Sequence, residues 1–139
     1  MALSVTSGKI LALDVGSVRI GLALADVRTR LPVPAGAVAH DEKVVESIRE
    51  FCEREEFARL VIGLPRNMQG QDTAQTEAVR AFGAALQEEL PLPVSWQDEA
   101  VTSVRAEEEL RARGRPYAKE DIDALAATYI LEDYLHEHV

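Results

Sequence analysis

An α/β domain built on one mixed sheet of five strands, flanked by helices, is the fold class this sequence predicts. Three observations predict it. Three strand-type runs follow one another directly between Lys9 and Ala39, and helical and strand-type segments then alternate to the end of the chain. Two of the strand runs, KILAL and RLVIGL, are apolar almost without a break. Consecutive strands read as an antiparallel meander, alternating units as right-handed crossovers that add parallel strands, and unbroken apolar runs as strands covered on both faces.

Residues 1–8, MALSVTSG, show no sustained period and end in Ser-Gly, so they are expected to be a flexible start to a single domain spanning residues 9–139. Lys9 to Leu13 is the central strand, and it ends in a carboxylate, Asp14, followed by a Gly16-Ser17 turn. Arg19 to Ala25 alternates the larger Ile20, Leu22 and Leu24 with the smaller Gly21, Ala23 and Ala25, which predicts a strand whose small face lies under a closely packed element. Val33 to Ala39, bracketed by Pro32 and containing Pro34, suits an edge strand, where a missing N–H does no harm.

Asp41 is placed to cap a helix running to about Glu55, with Val44, Val45, Ile48, Phe51 and Cys52 as its apolar stripe. Arg59 to Leu64 is a buried strand stopped by Pro65, and Pro65 to Gly70 has the composition of a loop at a strand end. Asp72 with Gln75 forms a capping-box pattern for a helix whose Ala74, Ala78, Val79, Phe82 and Leu86 recur at helical spacing. Val94 to Gln97 is a short strand running into Asp98-Glu99. Thr102 or Ser103 can cap the next helix, to Arg113 with Gly114 beyond it, and a last helix runs from about Glu120 to His136.

At 139 residues and 47% hydrophobic content, the chain supports one well-formed core. No run approaches the roughly 18 apolar residues of a membrane span, and no basic segment with an apolar stretch behind it opens the sequence, so a cytoplasmic protein without membrane contact is expected. The single cysteine, Cys52, allows no intrachain disulfide and reads as a small core residue. A net charge of -9 argues against nucleic-acid binding through bulk electrostatics, because such binding depends on Lys and Arg displacing counterions. Acids gathered around divalent cations, or arginines gathered near them, would reverse that local sign.

Three acids are worth weighing singly. Asp14 by its spacing alone reads first as an Asx-type turn residue before Gly16. Asp98 and Glu99 precede a helix whose dipole they would serve, and because neighbours on a strand point to opposite faces, only one can share the side of Asp14; Glu99 is the choice over Asp98. Asp123 has Ala127, Ile130 and Tyr134 above it at four, seven and eleven residues, which places a carboxylate in the middle of an apolar helix face. A buried carboxylate needs a partner, either an arginine or a metal. Should Asp14, Glu99 and Asp123 converge at one end of the sheet, their mutual repulsion calls for hard cations, Mg²⁺ or Mn²⁺, with all-oxygen ligands. Two such ions about 3.5 to 4 Å apart can activate a water and stabilise the leaving oxygen of a phosphodiester.

Four segments, DVGSVRIGLALAD (14–26), VIGLPRNMQG (61–70), DEAVTS (98–103) and IDALAATYILEDYL (122–135), resemble in order the motifs of the YqgF/RuvX family, and together they span the chain from about its tenth residue to its end. The resemblance implies an RNase H-like fold related to RuvC resolvases. It also implies a nuclease that matures pre-16S ribosomal RNA ends or resolves Holliday-type junctions, with Asp14, Glu99 and Asp123 as catalytic and metal-binding carboxylates and the Pro65–Gly70 loop near substrate. RNA or branched DNA is then the expected partner, contacted by Arg19, Arg66 and Asn67. Arg111, Arg113 and Arg115 are further candidates that serve equally well as a solvated helix end. A homodimer is an expectation from the related resolvases, since two cuts suit two-fold symmetry. One departure stands out: the family commonly has Arg after Asp-Glu, where this chain has Ala100, and Arg105 could replace it only if its helix turned it inward. Two other classes remain open from the residues, a nucleotide-binding module of the actin-like kind and a nucleic-acid-binding protein without turnover.

Overall fold

A computed structural model describes residues 8–99 and 102–139, and of Thr102 and Ser103 the backbone only. The expected flexible start at residues 1–7, Ala100, and the proposed Thr102 or Ser103 side-chain cap lie outside the described residues. The elements are β1 (Lys9–Val15), β2 (Arg19–Asp26), β3 (Val33–Ala39), α1 (Val44–Glu55), β4 (Phe57–Pro65), α2 (Ala74–Glu89), β5 (Val94–Glu99), α3 (Thr102–Ala112) and α4 (Lys119–His138). Gly8 is not part of a loose end: its carbonyl accepts a hydrogen bond from the Val27 N–H at 3.0 Å, tying the entry to β1 against the end of β2.

The five strands lie in the order β3-β2-β1-β4-β5. β1 pairs antiparallel with β2 and parallel with β4, β2 pairs antiparallel with β3, and β4 pairs parallel with β5. This is the expected meander on one side and crossover pair on the other, with the proline-bearing β3 at an edge. Alternation along β1 sorts its side chains between two cores. Leu11, Leu13 and Val15 join Ile20, Leu22, Leu60 and Ile62 beneath α1 and α2, where Val44, Ile48, Cys52, Val79 and Leu86 close the layer. Ile10 and Ala12 join Ala23, Ala25 and Val61 on the other face, under Ala127, Ile130, Leu131 and Tyr134 of α4.

α4 is covered on both sides, not along one stripe. Every residue from Ala124 to Leu131 is buried, because α3 packs Ala106 and Leu110 onto Leu125, Ala126 and Tyr129 on the face of α4 turned away from the sheet. The small face of β2 sits under α4 as expected, and Gly21 is where the approach is closest: a Cβ there would collide with the backbone carbonyl of Asp123.

Two caps differ from expectation by a residue or two. α1 begins after Lys43, and Asp41 instead accepts from the Lys43 N–H at 3.0 Å in the turn before it. The capping box of α2 is Thr73 with Thr76, not Asp72 with Gln75: Thr76 Oγ1 accepts from the Thr73 N–H at 2.9 Å and Thr73 Oγ1 from the Thr76 N–H at 3.3 Å. Asp72 is drawn away by arginines, pairing with Arg66 at 2.9 Å and Arg80 at 3.5 Å. β5 also runs two residues further than the apolar run, through Asp98 and Glu99, which pair in register with Leu64 and Pro65 of β4.

Candidate active site

The site lies on the α4 side of the sheet, at the carboxyl end of β1. Asp14 follows Ile10 and Ala12 in the alternation that faces α4, so the strand presents its carboxylate under the helix. On β5, Gln97 donates to Glu137 of α4 at 2.5 Å, and the same alternation carries Glu99 to that face. Asp98 points the other way and accepts from Arg66 Nη1 at 2.9 Å. The choice of Glu99 over Asp98 as the neighbour of Asp14 therefore matches the geometry, for the pleat reason that motivated it.

Room for these groups comes from two glycines. Gly21, opposite Asp14 in the β1–β2 register, admits the backbone of Asp123. Gly63 on β4 admits the Glu99 carboxylate: a Cβ at that position would stand 2.9 Å from Glu99 Oε2 and 2.5 Å from Ile130 Cδ1. Gly63 was not singled out in the sequence, although an interior strand glycine is a signal of close approach.

Electrostatics tie the acids together. The Asp14 carboxyl is pushed up from its ordinary 3.8 to about 8, first by burial, then by the charge of Glu99 and a hydrogen bond with it, and last by the charge of Asp123. The Asp14 and Glu99 carboxyls thus lie within hydrogen-bonding reach of each other. Asp123 is held differently: Arg19, the first residue of β2, donates from Nε to Asp123 Oδ2 at 2.5 Å, with both side chains mostly covered. That bond also raises the Arg19 guanidinium above its ordinary value. The arginine that the sequence places as a substrate contact is the ionic partner of the half-buried helix carboxylate.

The remaining candidates are placed as follows. Arg66 bridges Asp72 and Asp98, and Asn67 Oδ1 accepts from the Gln69 and Gln71 N–H groups at 3.0 and 2.9 Å, so both shape the 65–71 loop. Arg111 and Arg113 pair with Glu107 and Glu109 one turn back along α3. Arg105 lies over the Tyr129 ring, 3.8 Å from its centroid, and faces Glu132, so it does not turn toward the acids. A cleft of about 640 Å³ between β3 and the α3–α4 pair holds none of the three acids.

Among the described residues, no three acid, His or Cys side chains are arranged to hold a metal ion together. The donor chemistry nonetheless fits a hard divalent cation at Asp14 and Glu99. Two half-buried carboxyls held within hydrogen-bonding reach of each other are all-oxygen donors whose mutual repulsion a cation relieves. Asp123 would join them only by turning from Arg19.

Comparison with known proteins agrees with the fold. The model of the RuvX family, described as Holliday junction resolvase, matches residues 8–137. A protein of Chloroflexus aurantiacus, provisionally named a pre-16S rRNA nuclease, is 42% identical over 130 residues, covering 91% of this chain and 85% of its own. A Pediococcus pentosaceus protein of the same name is 34% identical, with 94% of each chain covered. Among solved structures, T. thermophilus RuvC in complex with a Holliday junction substrate superposes with a TM-score of 0.56 at 15% identity, covering 92% of this chain and 94% of that one. The yeast mitochondrial Holliday junction resolvase Ydc2 gives 0.56 at 10% identity, covering 96% and 80%.

Proposed function

The chain belongs to the RuvX family, and from that premise we propose that it is a divalent-metal-dependent endonuclease that hydrolyses phosphodiester bonds in structured nucleic acid, with pre-16S rRNA ends as its first candidate substrate and branched DNA as its second. The observation that carries this reading is the Asp14–Glu99 pair beside Asp123 at the carboxyl end of the central strand. Clefts at strand ends are where open α/β sheets place their chemistry.

Asp14 and Glu99 are the residues that would hold the metal, and Asp123 would join them on leaving Arg19. When bound, a hard divalent ion polarises the phosphodiester and lowers the pKa of its water toward the range of a hydroxide nucleophile. Asp14 is half-covered, and its hydrogen bond with Glu99 orients its carboxyl. Gly63 leaves the space in which Glu99 can orient. Arg19 neutralises Asp123 and presents a guanidinium edge at the mouth of the site, where a phosphate oxygen can compete with the Asp123 carboxylate for it. The rRNA preference rests on the names of the relatives; no motif in this chain reads the 2′-OH that separates RNA from DNA.

The test is a side-by-side cleavage assay on a labelled precursor 16S rRNA end and a four-way DNA junction, in Mg²⁺, Mn²⁺ or EDTA. Cleavage of either substrate that requires the metal is the expected result, with the rRNA end cut faster. Metal-independent cutting, or no cutting of either substrate by folded protein, would overturn the reading.

A further inference from the structure

On the opposite face of the sheet from Asp14, a pocket of about 290 Å³ opens beside the turn that follows it, lined by Val15, Gly16, Ser17, His40, Gln75, Ala78 and Val79. Hydrogen bonds and a ring contact brace its wall. The Gly16 N–H bonds to the Arg19 carbonyl at 3.0 Å and the His40 N–H to the Val18 carbonyl at 2.9 Å. His40 Nδ1 lies 2.6 Å from the Gly16 carbonyl oxygen, and the imidazole is braced by the Phe82 ring at 5.2 Å between centroids. Because a carbonyl only accepts, Nδ1 is the donor, which leaves Nε2 as the second polar handle of the ring.

Three features of the lining bear on what it takes. In a chain of net charge -9 with 24 acidic residues, the described lining carries no charged side chain, so a polyanion meets no repulsion from it. Its volume is at the small end of ligand sites, which run from about 300 Å³ upward, and suits one flat ring system better than a whole nucleotide. Its walls are largely apolar, from Val15, Ala78 and Val79, while Ser17, Gln75 and His40 offer donors and acceptors at the rim, the pairing of a flat apolar surface with a few polar handles that bases require. The pocket starts one residue beyond the catalytic carboxylate. The Gly16-Ser17 turn joins the two faces at the sheet end, the path a strand would take from Asp14 to the pocket.

We propose that this pocket receives an unpaired nucleobase of the strand being cut, next to the reacting phosphate, and sets the base preference of cleavage through Gln75 and His40. The proposal rests on the nuclease reading for its placement, while the pocket's affinity for a base can be measured without turnover. The experiment therefore has two arms. In the first, ¹⁵N-labelled protein is titrated by NMR with each nucleoside 5′-monophosphate and with inorganic phosphate. The nucleotides should shift the Ser17, Gln75 and Val79 amides while phosphate alone does not, and Ala78→Leu, which fills the pocket from an exposed helix position, should abolish the shifts. In the second, cut sites are sequenced on substrates randomised beside the scissile bond. Wild type should favour one base about 5-fold or more, and in Ala78→Leu and Gln75→Ala the preference, read as the ratio of cut products whatever the overall rate, should fall to near parity.

Absence of nucleotide-induced shifts at these amides, equal shifts with phosphate, or an unchanged base preference in both variants overturns the proposal. Cleavage with a silent pocket sinks this inference alone. A responsive pocket in a protein that cuts nothing sinks the nuclease reading, and with it the claim that the base belongs to a strand being cut.

Discussion

Asp14 and Arg19 carry opposite consequences for the folded state. Asp14 keeps its proton up to about pH 8 in the fold and releases it near 3.8 when unfolded. A folded-state pKa above the unfolded one contributes stability fully below about pH 4, and that contribution is lost as pH rises from about 4 to about 8. Asp14→Asn, which cannot ionise, should match wild type in Tm near pH 4 and exceed it by about 5 °C or more at pH 8 in EDTA, on the scale of about 3 °C per kcal/mol for a domain of this size. Mg²⁺ or Mn²⁺ should raise the Tm of wild type and leave that of Asp14→Asn unmoved. Thermal scans at the two pH values check both statements. Arg19→Met removes the partner of Asp123 and should lower Tm in EDTA, with recovery when divalent ion is added in excess. That Asp123 is a covered carboxylate in need of a partner was legible from its helix position alone; that the partner is Arg19 was not, because the two residues are 104 apart in sequence and meet only once α4 lies across β2.

At the scale of the element, strands were more legible than helix ends. The unbroken apolar runs of β1 and β4 and the prolines of β3 determine their burial and position with little help from context. Caps depend on which side chain wins a local competition: Asp72 looked like the cap of α2 until Arg66 and Arg80 are seen to hold it. Thr73→Ala should therefore cost about 1 kcal/mol in urea denaturation, while Asp72→Ala costs less. Two-sided burial of α4 was invisible because it depends on α3 docking, which no periodicity within α4 encodes. Gly21 and Gly63 set the gap between helix and sheet. Gly63→Ala must displace the Glu99 and Ile130 side chains and should destabilise by roughly 1 to 3 kcal/mol, as core overpacking does. Gly21→Ala meets the Asp123 backbone, which cannot rotate away, so it should cost more, measured by the same denaturation.

Across the whole molecule, the charge distribution bears on how nucleic acid is held. Net charge is -9, and among the described residues Arg19, Arg66, Arg111 and Arg113 are all paired with acids of the same chain. These four, among the arginines considered for phosphate contact, reach a phosphate only by giving up an acid, so affinity should depend weakly on salt. Fluorescence anisotropy across a KCl series should give a slope of log K against log salt shallower than about -3; a slope near that of a basic nucleic-acid-binding domain would show that these ion pairs open on binding. The architecture that the sequence announced, a meander joined to crossovers, brings β1, β5 and α4 to one sheet end. That convergence brings the charges of Glu99 and Asp123 to bear on Asp14, and on it rests the proposal that the three act as one site. The claim is tested most directly by single-turnover cleavage in Mn²⁺ with wild type and Asp14→Asn at equal substrate occupancy: a loss of at least about 100-fold in the variant is expected for removal of a metal ligand, and cutting at the wild-type rate would contradict the account.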